Sequence, residues 1–186
     1  RLPGKPLLKI NNLSIISHVF KRAKEANIGE AVVATDDQEI FNDVLKNGGR
    51  AILTSKNHKT GTDRIFEAYE KLNIKNIDYI LNLQGDEPDI NKDDIINLNN
   101  FMISRDAELG TLAAKIQDDK MLNNKNVVKV ITDKKLEASN FPIALNFTRD
   151  NLLMDSQNIY HHIGIYSYKV SVLEKLVNLD QTNNEK

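Results

Sequence analysis

Cysteine is absent from the 186 residues. Disulfides, thiolate metal sites and a cysteine nucleophile are therefore excluded. The absence suits a reducing compartment, and a cytoplasmic location is expected. No apolar run approaches the roughly 20 residues of a membrane span, and no signal-peptide pattern stands at the front. Neither sign of charge dominates: 25 basic residues face 26 acidic ones, a formal net charge of −1. Nucleic acid or an anionic membrane gains no general attraction from such a balance, so neither is expected as a partner. An anionic substrate must instead be held by a few placed cations. No Walker loop, G-x-G-x-x-G or G-x-S-x-G is present, which disfavours P-loop, dinucleotide and hydrolase-elbow chemistry.

What is there is the balance of a soluble globular chain, 40% hydrophobic and 27% charged. The length suffices for one domain with a substantial core. The chain opens at Arg1 without a methionine and runs directly into Leu2-Pro3-Gly4-Lys5-Pro6. Residues preceding Arg1 are expected to be missing.

Helical and strand patterns alternate. Ser14 can cap a helix whose Ile15, Ile16, Val19, Phe20 and Ala23 share a face. Ala31 to Ala34 reads as a buried strand stopped by Thr35-Asp36-Asp37, where the acidic pair starts the next helix. Ile40, Phe41, Val44 and Leu45 continue that helix to Gly48-Gly49. Ala51 to Thr54 is a second strand. A third helix, capped by Thr60 or Thr62, carries Ile65, Phe66, Tyr69 and Leu72. Tyr79 to Leu83 is a third strand, Lys92 to Ser104 a helix. Thr111 to Ile116, Val127 to Ile131 and Ile163 to Tyr168 read as strands. Val170 to Leu179 is a last helix, followed by a polar tail from Asp180. The alternation predicts an α/β fold, Rossmann-like, with a mostly parallel sheet and helices on both faces.

In such sheets ligands bind beyond the carboxyl ends of the strands. Three polar clusters fall there: Thr35-Asp36-Asp37, Ser55 to Arg64, and Gln84-Gly85-Asp86-Glu87-Pro88. In the last, an apolar strand delivers Asp86 to the sheet edge, and Gly85 allows close approach to a ligand. A carboxylate so placed suits Mg²⁺, which takes few protein oxygens and completes its shell with phosphate and water. Arg1-Leu2-Pro3-Gly4-Lys5-Pro6 is a rigid basic loop. It reads as a phosphate clamp, with Lys5 a point charge and Arg1 a fork, or equally as a solvated turn. Thr60-Gly61-Thr62-Asp63-Arg64 reads as a helix start whose N–H groups hold a nucleotide, or as a capped helix and nothing more. His161 and His162 are neighbours on a strand. They point to opposite faces and cannot share one metal, so a Zn site is disfavoured. One inward His with Tyr166 suits a sugar, though tyrosine packing on a core is the commoner reason for such a pair.

Together and in this order the segments resemble the 3-deoxy-manno-octulosonate (Kdo) cytidylyltransferases, also called CMP-Kdo synthetases. The matching pieces are RLPGKPL at Arg1 to Leu7, VATDDQEI at Val33 to Ile40 and TGTDR at Thr60 to Arg64. NLQGDEP at Asn82 to Pro88, NVVKV at Asn126 to Val130 and HIGIYSY at His162 to Tyr168 complete them. The resemblance implies a nucleotidyltransferase that joins CTP to Kdo, giving CMP-Kdo and pyrophosphate for lipopolysaccharide. It also implies a homodimer, for which the apolar strand Gly164 to Tyr168 is a candidate edge. Carried onto this sequence, it assigns Asp86 to Mg²⁺ and, with Lys5, to catalysis. Arg1, Lys5, Thr60, Gly61 and Arg64 fall to the nucleotide, and Gln84, His162 and Tyr166 to the sugar acid. A sialic acid or other acidic sugar as acceptor, or a non-catalytic nucleotide-binding homologue, remain the rival readings.

Three departures stand out. The family's IPARxxS strand and loop, which precede RLPGK, and a later metal-binding Asp are not in this stretch. The 186 residues are thus expected to be one domain without its N-terminal strand and C-terminal segment, inactive by themselves. The family's FSRxxIP reads Ala138 to Ala144 here without its arginine, for which Arg149 is the nearest substitute.

Overall fold

The computed structural model describes residues 4–137, 140–150 and 158–179. In chain order, a short 3₁₀ turn (Lys5–Leu7) leads to β1 (Lys9–Ile10), β2 (Leu13–Ser14), α1 (Ile15–Ala26), β3 (Val33–Thr35), α2 (Gln38–Lys46) and β4 (Ala51–Leu53). There follow α3 (Gly61–Leu72), β5 (Tyr79–Asn82), α4 (Lys92–Arg105), β6 (Leu109–Ala114) and α5 (Asp119–Asn123). The chain closes with β7 (Lys129–Thr132), β8 (Ala144–Thr148), β9 (Ile159–Lys169) and α6 (Val170–Leu176). The described residues form two compact units, one within Arg1–Gly110 and Tyr166–Lys186, the other within Thr111–Ile165.

The first unit follows local rules closely. The Ser14 hydroxyl accepts from Ser17 N and caps α1, as its position predicts. Asp37 caps α2 through Glu39 N and Ile40 N. Thr60, not Thr62, caps α3, in a capping box with Asp63. Ile16, Val33 and Val44 form one buried cluster, with Phe20, Ile40 and Ala51 packed on it. Each fully buried aliphatic side chain of this kind contributes about 1.5–3 kcal/mol. A tight hairpin joins β1 to β2, with Ile10 opposite Leu13. Its two turn residues, Asn11 and Asn12, both have positive φ, which asparagine tolerates better than other residues with a side chain.

β3 and β4 are parallel, with Val33 opposite Ala51. They form a two-stranded sheet of their own; in the separate five-stranded sheet the pairs β5–β9, β7–β8 and β7–β9 are antiparallel, where a mostly parallel sheet was expected. β5 runs antiparallel to the end of β9, with Leu81 opposite Ser167. An apolar run tells that a strand is buried but carries no arrow, so direction follows from the route by which the chain returns.

In the second unit β7 runs antiparallel to β8 and to the start of β9. β8, which the sequence reading passed over, exposes Leu145 and Phe147. The stretch Gly164 to Tyr168, expected as a free edge, is interior strand. Ile165 is 1% exposed and Ser167 0%, and β9 has β5, β6 and β7 as neighbours. No helix among the described residues is long and apolar enough to cross a membrane.

Candidate active site

The first unit brings together residues far apart in sequence. β5 ends at Asn82, and the chain turns through Gln84, Gly85 and Asp86, with Glu87 N donating to Gln84 O at 3.3 Å. Asp86 Oδ2 accepts from Lys5 Nζ at 2.8 Å, across 81 positions. Gly4, at φ 68°, takes the left-handed turn that sends Lys5 there, a backbone that glycine adopts without strain. The carboxylate beside Lys5 holds its ammonium above the usual range, so Lys5 is fully charged at neutral pH. Both side chains are 43% exposed, so the pair is well solvated and open to an incoming ligand. Gly85 has a second reason to be glycine: a Cβ there would meet Ile16 Cδ1 at 2.9 Å. The close approach found is to α1. Gln84 is exposed beside it.

The segment after β4 is built differently. Arg64 on α3 donates to Thr54 Oγ1 at 2.7 Å and to Ser55 O at 3.3 Å. Its guanidinium also faces Asp36 Oδ1 at 3.3 Å. That links the end of β4 to the end of β3. Glu67, one turn on, accepts from Ser55 N at 2.8 Å and meets His58 Nε2 with the same oxygen. Its other oxygen pairs with Lys71 Nζ at 2.6 Å. Lys71, the Ser55 amide and His58 together pull the Glu67 carboxyl down to about 2. Around Gly61, the first residue of α3, a Cβ would find nothing within 4 Å, so the helix start is open to approach.

Gly61, Arg64, Gln84 and Gly85 also line one cavity of about 710 Å³. Its other walls come largely from apolar residues of α1, α3 and α4 and from the strands β3 and β5. Such walls suit apolar groups better than a triphosphate, which leaves the Lys5–Asp86 pair as the polar feature of the site.

Tyr166 and Tyr168 close the first unit's share of β9, their rings stacked at 6.1 Å. Burial raises both hydroxyls above the usual phenol range, so both are neutral donors. His162 belongs to the second unit, where its ring lies edge-on to Phe147 at 4.9 Å. The Thr111 hydroxyl donates to Ile165 O at 2.6 Å, so it accepts from His162 Nε2 at 2.9 Å. Burial, helped by His161, lowers His162 below the usual imidazole value. Arg149, offered above as a substitute arginine, donates to the carbonyls of Lys125 and Asn126. Arg1 and Ser139 lie outside the described residues. Among the described residues no group of three or more His, Asp or Glu gathers into a metal cluster. Asp86 thus stands as a single carboxylate with one oxygen engaged by Lys5, which fits a metal held mainly by substrate oxygens rather than by a protein cage.

The residues that sequence reasoning missed are Glu67, His58 and Lys71. His58 and Glu67 are nine apart, a spacing with no periodic meaning across a loop and a helix.

The whole chain, residues 1–186, matches the family described as cytidylyltransferase. A 3-deoxy-manno-octulosonate cytidylyltransferase of Thermodesulfovibrio yellowstonii is 43% identical over 100% of this chain and 76% of its own length. One from Fusobacterium nucleatum is 41% identical over 91% of this chain and 68% of its own. Among solved structures, CMP:2-keto-3-deoxy-manno-octonic acid synthetase complexed with CTP matches with a TM-score of 0.85 at 34% identity. That match covers 100% of this chain and 75% of the synthetase. A cytidylyltransferase from Leptospira borgpetersenii, at 19% identity and a TM-score of 0.60, shares the fold.

Proposed function

This chain belongs to the cytidylyltransferase family, among the 3-deoxy-manno-octulosonate cytidylyltransferases, and we propose that it forms CMP-Kdo and pyrophosphate from CTP and Kdo. The observation that carries the reading is the Lys5–Asp86 pair, a cation and a carboxylate brought to the end of β5 in a chain of this family. The anomeric hydroxyl of the acid attacks the α-phosphorus. A phosphorus–oxygen bond forms, the bond to the β-phosphate oxygen breaks with pyrophosphate leaving, and the hydroxyl proton passes to solvent. Such a displacement asks the protein for position and charge, not for a covalent intermediate.

Lys5 supplies the positive charge toward the triphosphate, from a point where its own counter-charge is solvated and can be exchanged. Asp86 would hold Mg²⁺, which when bound neutralises phosphate oxygens. The open start of α3 at Gly61, beside the Thr60 cap, offers a backbone N–H to the nucleotide. Gln84 and Tyr166 of the first unit, and separately His162 of the second, are proposed for the sugar acid on the family resemblance alone. A homodimer, a cytoplasmic location and a place in lipopolysaccharide synthesis belong to the same proposal and are supported by the family resemblance.

Pyrophosphate release from CTP and Mg²⁺, assayed on the full protein with Kdo and with a sialic acid, tests this. Turnover with Kdo is expected. Turnover with the sialic acid alone would overturn the acceptor, and activity indifferent to Asp86→Ala would overturn the site.

A further inference from the structure

Arg64, Glu67 and Lys71 lie three and four residues apart and so form one stripe along α3. All three reach back to the segment that enters the helix. Lys71 Nζ donates to Leu53 O at 2.8 Å, Arg64 holds Thr54 and Ser55, and Glu67 holds Ser55 N and His58. Glu67 is the hub. It takes the strand-end amide and the loop imidazole on one oxygen and Lys71 on the other, with its side chain only 20% exposed. Ser55 Oγ in turn accepts from Asn57 N at 3.1 Å, so the anchored residue also shapes the next turn. The loop ends at Thr60, whose capping box opens α3.

We propose that Glu67 is a positioning residue for the nucleotide: by clamping Ser55 and His58 it fixes the loop that sets where Gly61, next to the capped Thr60, presents its backbone N–H. This rests on the reading of the α3 start as the nucleotide's seat. Glu67 touches no substrate; it acts through the loop. Among the described residues nothing comparable holds the β5 end, where the solvated Lys5–Asp86 pair stands. A preorganised N–H cradle costs a ligand no loop ordering, so loosening it weakens nucleotide binding more than it weakens anything bound elsewhere.

The experiment measures CTP binding by calorimetry on the full protein, without the sugar acid, and then steady-state parameters for both substrates. Glu67→Ala is expected to raise the Kd for CTP about tenfold, the loss that follows removal of one charge-assisted anchor. The KM for the acid should move by less than about twofold. Glu67→Gln keeps an acceptor for Ser55 N and should fall between wild type and Glu67→Ala. Glu70→Ala, an exposed glutamate of the same helix, is the control and should match wild type. Should Glu67→Ala fail to fold, His58→Gln decides by the same readout, with an expected rise of about threefold. A CTP Kd unchanged in the folded variant, with only the melting temperature lowered, overturns the proposal; so does an equal rise in both substrates' parameters. Wild type that binds CTP but turns over no sugar acid sinks the proposed reaction and leaves this inference standing. Wild-type turnover with Glu67 variants that match it sinks this inference alone. Wild type that binds no CTP sinks both.

Discussion

The two strand ends of the candidate site are held in opposite ways. Beyond β4 the charges of Arg64 and Glu67 are used within the chain: Arg64 on Asp36 and Thr54, Glu67 on Ser55, His58 and Lys71. Beyond β5 the described residues form one ion pair, Lys5 to Asp86, with each side chain 43% exposed. Charges tied into several short contacts cannot turn to a ligand without leaving partners stranded. A solvated pair can separate at small cost, because exposed pairs contribute little to stability. The β4 end is therefore a frame and the β5 end a working surface. Substitutions at the first should disturb stability or nucleotide binding, and at the second, turnover.

The sharpest way to break the comparison is Asp86→Ala. It should cut the rate of pyrophosphate release about 10²- to 10³-fold, the scale for removing a preorganised electrostatic group. Its melting temperature should stay near wild type by circular dichroism. A loss of stability with kcat retained would reverse the assignment of working surface and frame. Lys5→Met should act in the same direction, by about a hundredfold, with Lys5→Arg recovering part of the rate. Next comes Thr60→Ala in the frame. Losing the capping box should lower stability to denaturant by about 1 kcal/mol.

Acid titration sharpens the same contrast with a smaller effect. The Glu67 carboxyl lies near 2 in the folded protein against a usual 4.5. A lowered folded value means that this stabilisation is complete above pH 4.5 and is lost as pH falls from there toward 2. Denaturant unfolding across that window should show a shallower decline in Glu67→Gln than in wild type. The smallest effect belongs to His162, which burial keeps below its usual 6.5. Here the unfolded chain binds the proton more readily, so stability falls as pH drops below 6.5, and His162→Gln should lose that sensitivity.

Much of the first unit was legible. Ser14, Asp37 and Thr60 announce helix starts because a short polar side chain that satisfies orphan N–H groups does so wherever it stands. Asp86 was legible as a strand-end carboxylate and Lys5 as a cation in a constrained loop. The β1–β2 hairpin was missed, although Asn11-Asn12 between two short apolar–polar pairs is a readable signal. So was β8, where Leu145 and Phe147 alternate with smaller or polar residues.

What the sequence by itself determined is local: where helices begin, which faces are apolar, which strands are buried and which carboxylate follows a strand. These depend on periods of two and 3.6 residues and on hydrogen bonds to near neighbours, so a short window contains all that decides them. Only the tertiary structure decided that β9 runs antiparallel to β5, that Lys5 meets Asp86, and that Glu67 rather than any motif residue is the hub of the β4 loop. Strand direction leaves no mark in an apolar run. An ion pair or a clamp depends on distance through space, which closes 81 positions as readily as nine.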